Sequence, residues 1–261
     1  MPNFNGTIGN DTINGTDFAD TIYSLQGSDK VYGNGGNDLI KTNSGWDVIY
    51  GGPGNDTIYA GDGNDKVYGG PGADHIYGGP GNDVLYGHDD DANPGDPGDV
   101  IFGGPGNDVI AGVGDNSYVD GGDGNDGLYM SGANTTVKGG TGDDFISLNG
   151  VSSTITTGNG NDVLYFVDRL GTHETYTVTD YASGRDSFTI VTFRDHDGSR
   201  TISNGALVTL FDVNHDGKVT VADGVSQTRA EIGYTFVPEG FKLEYSNGEF
   251  SLLFAAVAAM F

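Results

Sequence analysis

The sequence predicts an all-β fold: a parallel β-roll of two facing sheets and about seventeen nine-residue units, followed by a β-rich C-terminal cap. Three observations carry that prediction. Aspartates stand nine residues apart at 11, 20, 29, 38, 47, 56, 65, 74 and 83 without a slip. An aliphatic residue follows each of them by two positions, from Ile13 and Ile22 to Ile76 and Leu85. Glycine fills 47 of the 261 positions, more than twice its usual share.

Each unit follows from its residues. The best ones read GGPGNDTIY (Gly51–Tyr59), GGPGADHIY (Gly69–Tyr77), GGPGNDVLY (Gly78–Tyr86) and GGPGNDVIA (Gly103–Ala111). The first six residues form a tight turn, because glycine adopts positive φ at no steric cost. The last three form a short strand whose central aliphatic points inward and whose neighbours point outward. Two units make one coil with two strands. Coils stacked about 4.8 Å apart give a roll roughly 40 Å long. After His88–Pro97, read as a surface loop carrying seven extra residues, the period resumes at Asp99. It continues through Asp108, Ser117, Asp126, Thr135, Asp144, Ser153 and Asp162.

This pattern strongly resembles the RTX (repeats-in-toxin, hemolysin-type) calcium-binding nonapeptide repeat, GGxGxDxUx, over about 160 residues. The resemblance implies a right-handed parallel β-roll, a two-sheet β-helix, with calcium ions held between the turns of successive coils. Elementary physical chemistry points the same way. One aliphatic in nine residues makes a thin core, and glycine-rich turns lose much entropy on ordering. Aspartates stacked about 5 Å apart lie within the Debye length of roughly 8 Å and repel one another. Calcium is a hard cation that takes six to eight oxygen ligands, here carboxylates and turn carbonyls, so its binding energy becomes folding energy.

Successive units alternate between two sides of the roll. One side carries Asp11, Asp29, Asp47, Asp65, Asp83, Asp108, Asp126, Asp144 and Asp162. The other carries Asp20, Asp38, Asp56, Asp74 and Asp99, then Ser117, Thr135 and Ser153. All of these aspartates are candidate calcium ligands, so the second side is expected to lose its ions after Asp99. Eight gaps on one side and four on the other set a ceiling of about twelve ions. Their charge nearly cancels the formal −26 of the chain. The turn before Asp20 has Phe18 where glycine is expected, and Asp47 follows Trp46, which is also atypical.

Two outward stripes of tyrosine accompany the repeat: Tyr32, Tyr50, Tyr68 and Tyr86 on one face, and Tyr23, Tyr59 and Tyr77, with Phe102 further along, on the other. They read either as ladders that cover the sheets or as flat strips that dock sugars or a partner surface.

Composition changes at Tyr165. Residues 1–165 hold 24 aspartates and four lysines, whereas residues 166–261 hold all five glutamates and every arginine. The expected division is therefore a calcium-binding roll over 1–165 and a cap over 166–261. Alternating apolar stretches predict strands at Glu174–Thr179, Asp186–Phe193, Ala206–Phe211, Phe241–Tyr245 and Glu249–Phe254, the last two joined in a hairpin. The segment resembles the β-rich cap that follows the repeats in RTX proteins. Within it, 212–223 resembles a dockerin or EF-hand-type calcium loop. Asp212, Asn214 and Asp216 supply the first ligands, Lys218 its backbone carbonyl, and Asp223 the closing carboxylate, with Gly217 at the turn.

These features bound the function. The acidic balance repels nucleic acid, no apolar run is long enough to span a membrane, and cysteine is absent. No zinc-protease helix, nucleophile elbow or phosphate loop is present, so no catalytic residue is expected. MPNFNGTIGND enters the first unit at once, so no cleaved N-terminal secretory signal is expected. The RTX resemblance instead implies an uncleaved C-terminal signal read by a type I exporter. The ending Ser251–Phe261 is read as that signal or as an ordinary terminal strand and tail. The leading expectation is a secreted, extracellular, non-catalytic protein that folds on calcium, with extracellular polysaccharide or a cell surface as candidate partner. The alternative is the C-terminal calcium-binding, secretion and polysaccharide-binding module of an RTX metalloprotease or polysaccharide epimerase.

Overall fold

In the computed structural model, the described residues are 1–88, 97–149, 152–168, 175–180, 186–192, 206–210, 241–246 and 249–254. They form an all-β parallel solenoid of about eight turns, with no helix among them. Up to Ser187–Thr192, strands that follow one another along the chain fall alternately into two sheets. Asn3–Asn5, Thr21–Tyr23, Leu39–Lys41 and Thr57–Tyr59 open the first sheet. Thr12–Asn14, Lys30–Tyr32, Val48–Tyr50 and Lys66–Tyr68 open the second. Each strand pairs in parallel with the strand one coil later, as Ile58 does with Ile76 and Ile49 with Val67.

The core is the single file of inward aliphatics from each sheet. Ile22, Ile40, Ile58, Ile76 and Ile101 of the first sheet are fully buried, as are Val31, Ile49, Val67, Leu85 and Ile110 of the second. The pattern of one inward residue between two outward ones holds in every early strand, as in Val48–Tyr50. Later strands of the first sheet run on into the turn. Val100–Pro105, Tyr118–Asp123 and Thr136–Thr141 are six residues each, because Gly104, Gly122 and Gly140 also pair in register.

The seven-residue insertion leaves the register intact: Val100 pairs with His75 and Val109 with Val84 across it. Parallel pairing also continues past Tyr165. Thr175–Val178 joins Ser153–Asn159, and Ser187–Thr192 joins Val163–Asp168. Beyond them the direction reverses. Ala206–Leu210 pairs antiparallel with Ser187–Thr192, and Glu249–Phe254 lies antiparallel between Thr175–Val178 and Phe241–Ser246.

Gly52 and Gly54 show why the turns need glycine. Both have positive φ, 100° and 151°. A Cβ on either would collide with a carbonyl of the preceding coil, that of Asn34 or of Gly36.

Candidate metal centre

The structure sorts the repeat aspartates into the two columns expected from their parity and shows what holds each column together. One carboxylate oxygen of each aspartate accepts the main-chain N–H of the aspartate one coil earlier. On one side, the N–H of Asp29 donates to Asp47 Oδ1 at 2.7 Å, Asp47 to Asp65 at 2.8 Å, and Asp65 to Asp83 at 2.8 Å. The chain of bonds crosses the insertion from Asp83 to Asp108 at 2.8 Å and continues through Asp126 and Asp144 to Asp162. On the other side it runs from Asp20 through Asp38, Asp56 and Asp74 to Asp99.

The second carboxylate oxygen is different. Oδ2 of Asp29, Asp38, Asp47, Asp56, Asp65, Asp83, Asp108, Asp126, Asp144 and Asp162 is buried and accepts no hydrogen bond. An unpartnered buried carboxylate oxygen is costly, and most are satisfied in folded proteins. The surroundings offer oxygen rather than hydrogen. Asp56 Oδ2 and the carbonyl of Gly69, one coil later, converge beside Gly51, where a Cβ would strike both. Asp108 with Gly121 beside Gly103, and Asp126 with Gly139 beside Gly121, repeat the arrangement. Among the described residues no three His, Asp or Glu side chains converge on one point, so main-chain oxygens would have to complete any coordination sphere. Carboxylate and carbonyl oxygens from successive coils are the donor set of a hard divalent cation, and these residues fit calcium.

Electrostatics agree with an uncompensated charge. Burial pushes the carboxyl groups of Asp56, Asp65, Asp108 and Asp144 up to about 7, and those of Asp38, Asp83 and Asp126 up to about 6. Burial also raises Asp47 and Asp162, and the neighbouring column member adds repulsion at Asp56, Asp65, Asp108 and Asp144. Each site must bind either a cation or a proton to be neutral.

The first members of the columns differ. Asp11 Oδ2 accepts the N–H and hydroxyl of Thr7, and Asp20 Oδ2 those of Thr16. Both therefore have internal partners that the ten aspartates named above lack. On the second side the column goes on after Asp99 with hydroxyls. Asp99 N–H donates to Ser117 Oγ at 2.9 Å, and the Thr135 and Ser153 hydroxyls meet at 2.7 Å. Where the aspartate is lost, the turn gains apolar mass, since Val113, Met130 and Leu148 are buried in the core.

Sequence reasoning missed a further column beside the aspartates. The exposed residue before each aspartate is commonly asparagine, and its Oδ1 accepts a main-chain N–H of the next coil. Asn82 N–H donates to Asn64, and Asn107 N–H to Asn82 across the insertion. Asn125 and Asp143 continue the line. The recurrent Asn-Asp pair of the repeat was the available signal. The last carboxylates of the stack, Asp180 and Asp186, were not legible from the repeat at all. Asp180 accepts the N–H groups of Thr157 and Gly158, and Asp186 that of Asp162.

The tyrosine stripes are stacks. Tyr32, Tyr50, Tyr68 and Tyr86 lie ring over ring with centroids 4.9–5.1 Å apart. On the first sheet Tyr59, Tyr77 and Phe102 stack in the same way. Tyr23 is separated from Tyr59 by Lys41, which occupies the intervening register position and lies over the Tyr59 ring. The EF-hand-type residues Asp212, Asn214, Asp216, Lys218 and Asp223 lie outside the described residues.

Comparison with known families agrees with the geometry. The RTX calcium-binding nonapeptide repeat (4 copies) matches residues 5–40, 42–75, 68–91, 95–129, 131–150 and 138–166. No curated protein matches the chain. The matched stretches are the aspartate-bearing coils and cover more than half of the sequence; the chain belongs to the RTX calcium-binding nonapeptide-repeat family.

Proposed function

We propose that this protein is a secreted, calcium-binding RTX protein that folds on meeting calcium outside the cell and has a structural or binding role rather than a catalytic one. The observation that carries this reading is that Asp29, Asp38, Asp47, Asp56, Asp65, Asp83, Asp108, Asp126, Asp144 and Asp162 each hold one carboxylate oxygen bonded along a column and the other buried without a hydrogen-bond partner. In this reading seventeen nonapeptide units form a right-handed roll over 1–165, and residues 166–261 close its end. The reversal to antiparallel pairing after Ser187–Thr192 supports such a closure, because it ends the parallel edges. The ligands are the column aspartates from Asp11 to Asp162, and the loop at 212–223 holds a separate ion. A type I exporter reads the C-terminus. Export suits the chemistry, since weak calcium sites fill only where calcium is plentiful.

The test is circular dichroism and hydrodynamic radius of the full chain with chelator, magnesium and calcium. Calcium should induce strand signal and compaction. Magnesium should substitute poorly, since it requires a smaller and stricter octahedron. A spectrum indifferent to chelator would overturn the proposal.

A further inference from the structure

The first two turns of the roll are built differently from the turns next to them. At the second position of successive turns stand Thr7, Thr16, Leu25, Asn34, Asn43 and Gly52. From Leu25 on, this position has positive φ: 79° at Leu25, 72° at Asn34, 71° at Asn43 and 100° at Gly52. A leucine is held there only at a cost, so the stacked turn demands that conformation. Gly27, Gly36, Gly45 and Gly54 supply a second positive φ two residues later. In 6–11 and 15–20 no residue has positive φ. The place of those later glycines is taken by Gly9 in one of these turns and by Phe18 in the other.

The altered backbone redirects the hydrogen bonds. In a regular turn the N–H of Gly52 donates to the carbonyl of Gly69, one coil later, at 2.9 Å. The N–H of Thr7 donates instead to Asp11 Oδ2 at 2.6 Å, and that of Thr16 to Asp20 Oδ2 at 2.6 Å. Each hydroxyl donates a second bond to the same oxygen at 2.9 Å. Each also accepts the N–H two residues on, from Gly9 or Phe18, at 3.2 Å. Both turns therefore close on themselves, between residues four apart in the chain. Asp20 has a further need. It stands one coil after Pro2, which has no N–H to give its Oδ1, and the Thr16 hydroxyl lies 3.2 Å from that oxygen as well.

The cradle for a cation is nevertheless present. Asp11 Oδ2 and the Ser24 carbonyl converge beside Gly6, and Asp20 Oδ2 and the Gly33 carbonyl beside Gly15, as Asp56 Oδ2 and the Gly69 carbonyl do beside Gly51. The oxygens are the same in kind. What differs is that Asp56 Oδ2 accepts no hydrogen bond, whereas Asp11 Oδ2 and Asp20 Oδ2 each accept two. We propose that Thr7 and Thr16 are built-in competitors for calcium, which make the first gap on each side of the roll its weakest ion site and the last to fill. An entering ion must displace two hydrogen bonds to a carboxylate there, a handicap of about tenfold or more in affinity. The same bonds hold the two turns in shape before an ion arrives. This inference rests on the calcium columns proposed above and ranks the sites within them.

The test is equilibrium dialysis of the full chain at the lowest free calcium at which circular dichroism shows the roll folded, with bound calcium counted. Thr7→Gly frees Asp11 Oδ2 and permits the positive φ of the later turns, so it should retain one more ion per chain. Thr16→Gly with Phe18→Gly should do the same on the other side. Thr7→Ser keeps both bonds and should match the unaltered chain. The unaltered chain gives a measurement that needs no variant to fold. Crystals grown at that calcium level should show anomalous calcium density beside Gly51, Gly103 and Gly121 and none beside Gly6 and Gly15, where density should appear only as calcium is raised. Equal density in the first gaps would overturn the proposal. So would an unchanged ion count in glycine variants that fold, or a serine variant that gains the ion as the glycine variant does. A chain that does not respond to calcium at all would instead refute the folding proposal, and the two failures are distinguishable.

Discussion

The two carboxylate oxygens of Asp56 have different partners, and that difference separates its structural role from its ligand role. Oδ1 accepts the Asp38 N–H at 2.8 Å, whereas Oδ2 is buried beside Gly51 without a hydrogen-bond partner, with the Gly69 carbonyl against the same glycine. Asp56→Asn keeps the first bond and replaces a buried, unpartnered carboxylate oxygen by a neutral N–H donor. The ion-free roll should become more stable by about 1–3 kcal/mol, while the calcium midpoint moves to higher concentration. Thermal melts with chelator and a calcium titration check both. Gly52→Ala should act in the opposite sense. It places a Cβ at φ 100° against the Asn34 carbonyl and should cost about 1–3 kcal/mol with or without calcium. Protonation should mimic the ion in part. The folded carboxyls of Asp56, Asp65, Asp108 and Asp144 lie near 7, above the ordinary 3.8, so the ion-free fold holds more protons than the unfolded chain. Their contribution to ion-free stability is therefore fully present below 3.8 and lost as pH rises through about 7. Circular dichroism of calcium-free protein should show strand signal growing from pH 8 to pH 4, and a flat profile would contradict this.

At the level of the element, each short strand contributes one aliphatic and each turn one buried polar group to a column. The sequence made the strands and both aspartate columns legible, because a strict nine-residue period places Ile49, Val67 and Leu85 on one line and Asp47, Asp65 and Asp83 on another. It did not reveal that Ser117, Thr135 and Ser153 keep the second column bonded after its carboxylates end. A hydroxyl in place of aspartate reads as a lost ligand when only metal chemistry is considered. Its hydrogen bonds depend on stacking distance, which a sequence does not display. Nor could the period foresee Met130 and Leu148 in the core, since both occupy positions where other units carry glycine or another small residue. This gives the two sides different sensitivities. Thr135→Val should cost about 1 kcal/mol equally in chelator and in calcium, because it removes a hydrogen bond and leaves no carboxylate behind. Asp144→Asn, one unit later on the other side, should alter the calcium response. Parallel calcium titrations of the two variants distinguish them. Hydrogen exchange at limiting calcium should likewise find the turns around Asp126 and Asp144 opening before those around Ser117 and Thr135.

For the whole molecule, each coil touches only its neighbours, so stability is a sum of coil and interface terms. Each three-residue strand adds one buried aliphatic to the core, and Ile58→Ala should cost about 2–5 kcal/mol in the calcium-loaded state. Because neighbouring coils share a column, that loss should lower the calcium sensitivity of the coils on either side and leave distant ones unaffected. Residue-resolved exchange across the roll checks the range of the effect. The formal charge of −26 acts over the same length. Without cations it should expand the chain, and with them neutrality should let the columns close, which the hydrodynamic radius in chelator and in calcium checks.

The register across the insertion has an evolutionary consequence. Coils on either side of it pair as though nothing had been added: Asp83 still bonds Asp108, and Asn82 still bonds Asn107. A stack whose joints depend only on the adjoining coil accepts a gain or loss of whole repeats by in-frame duplication or unequal recombination. Every such event can leave the junctions in the register of the ones around them. Descendants of this gene can therefore change the length of the protein in steps of about 4.8 Å per coil while its two ends remain untouched.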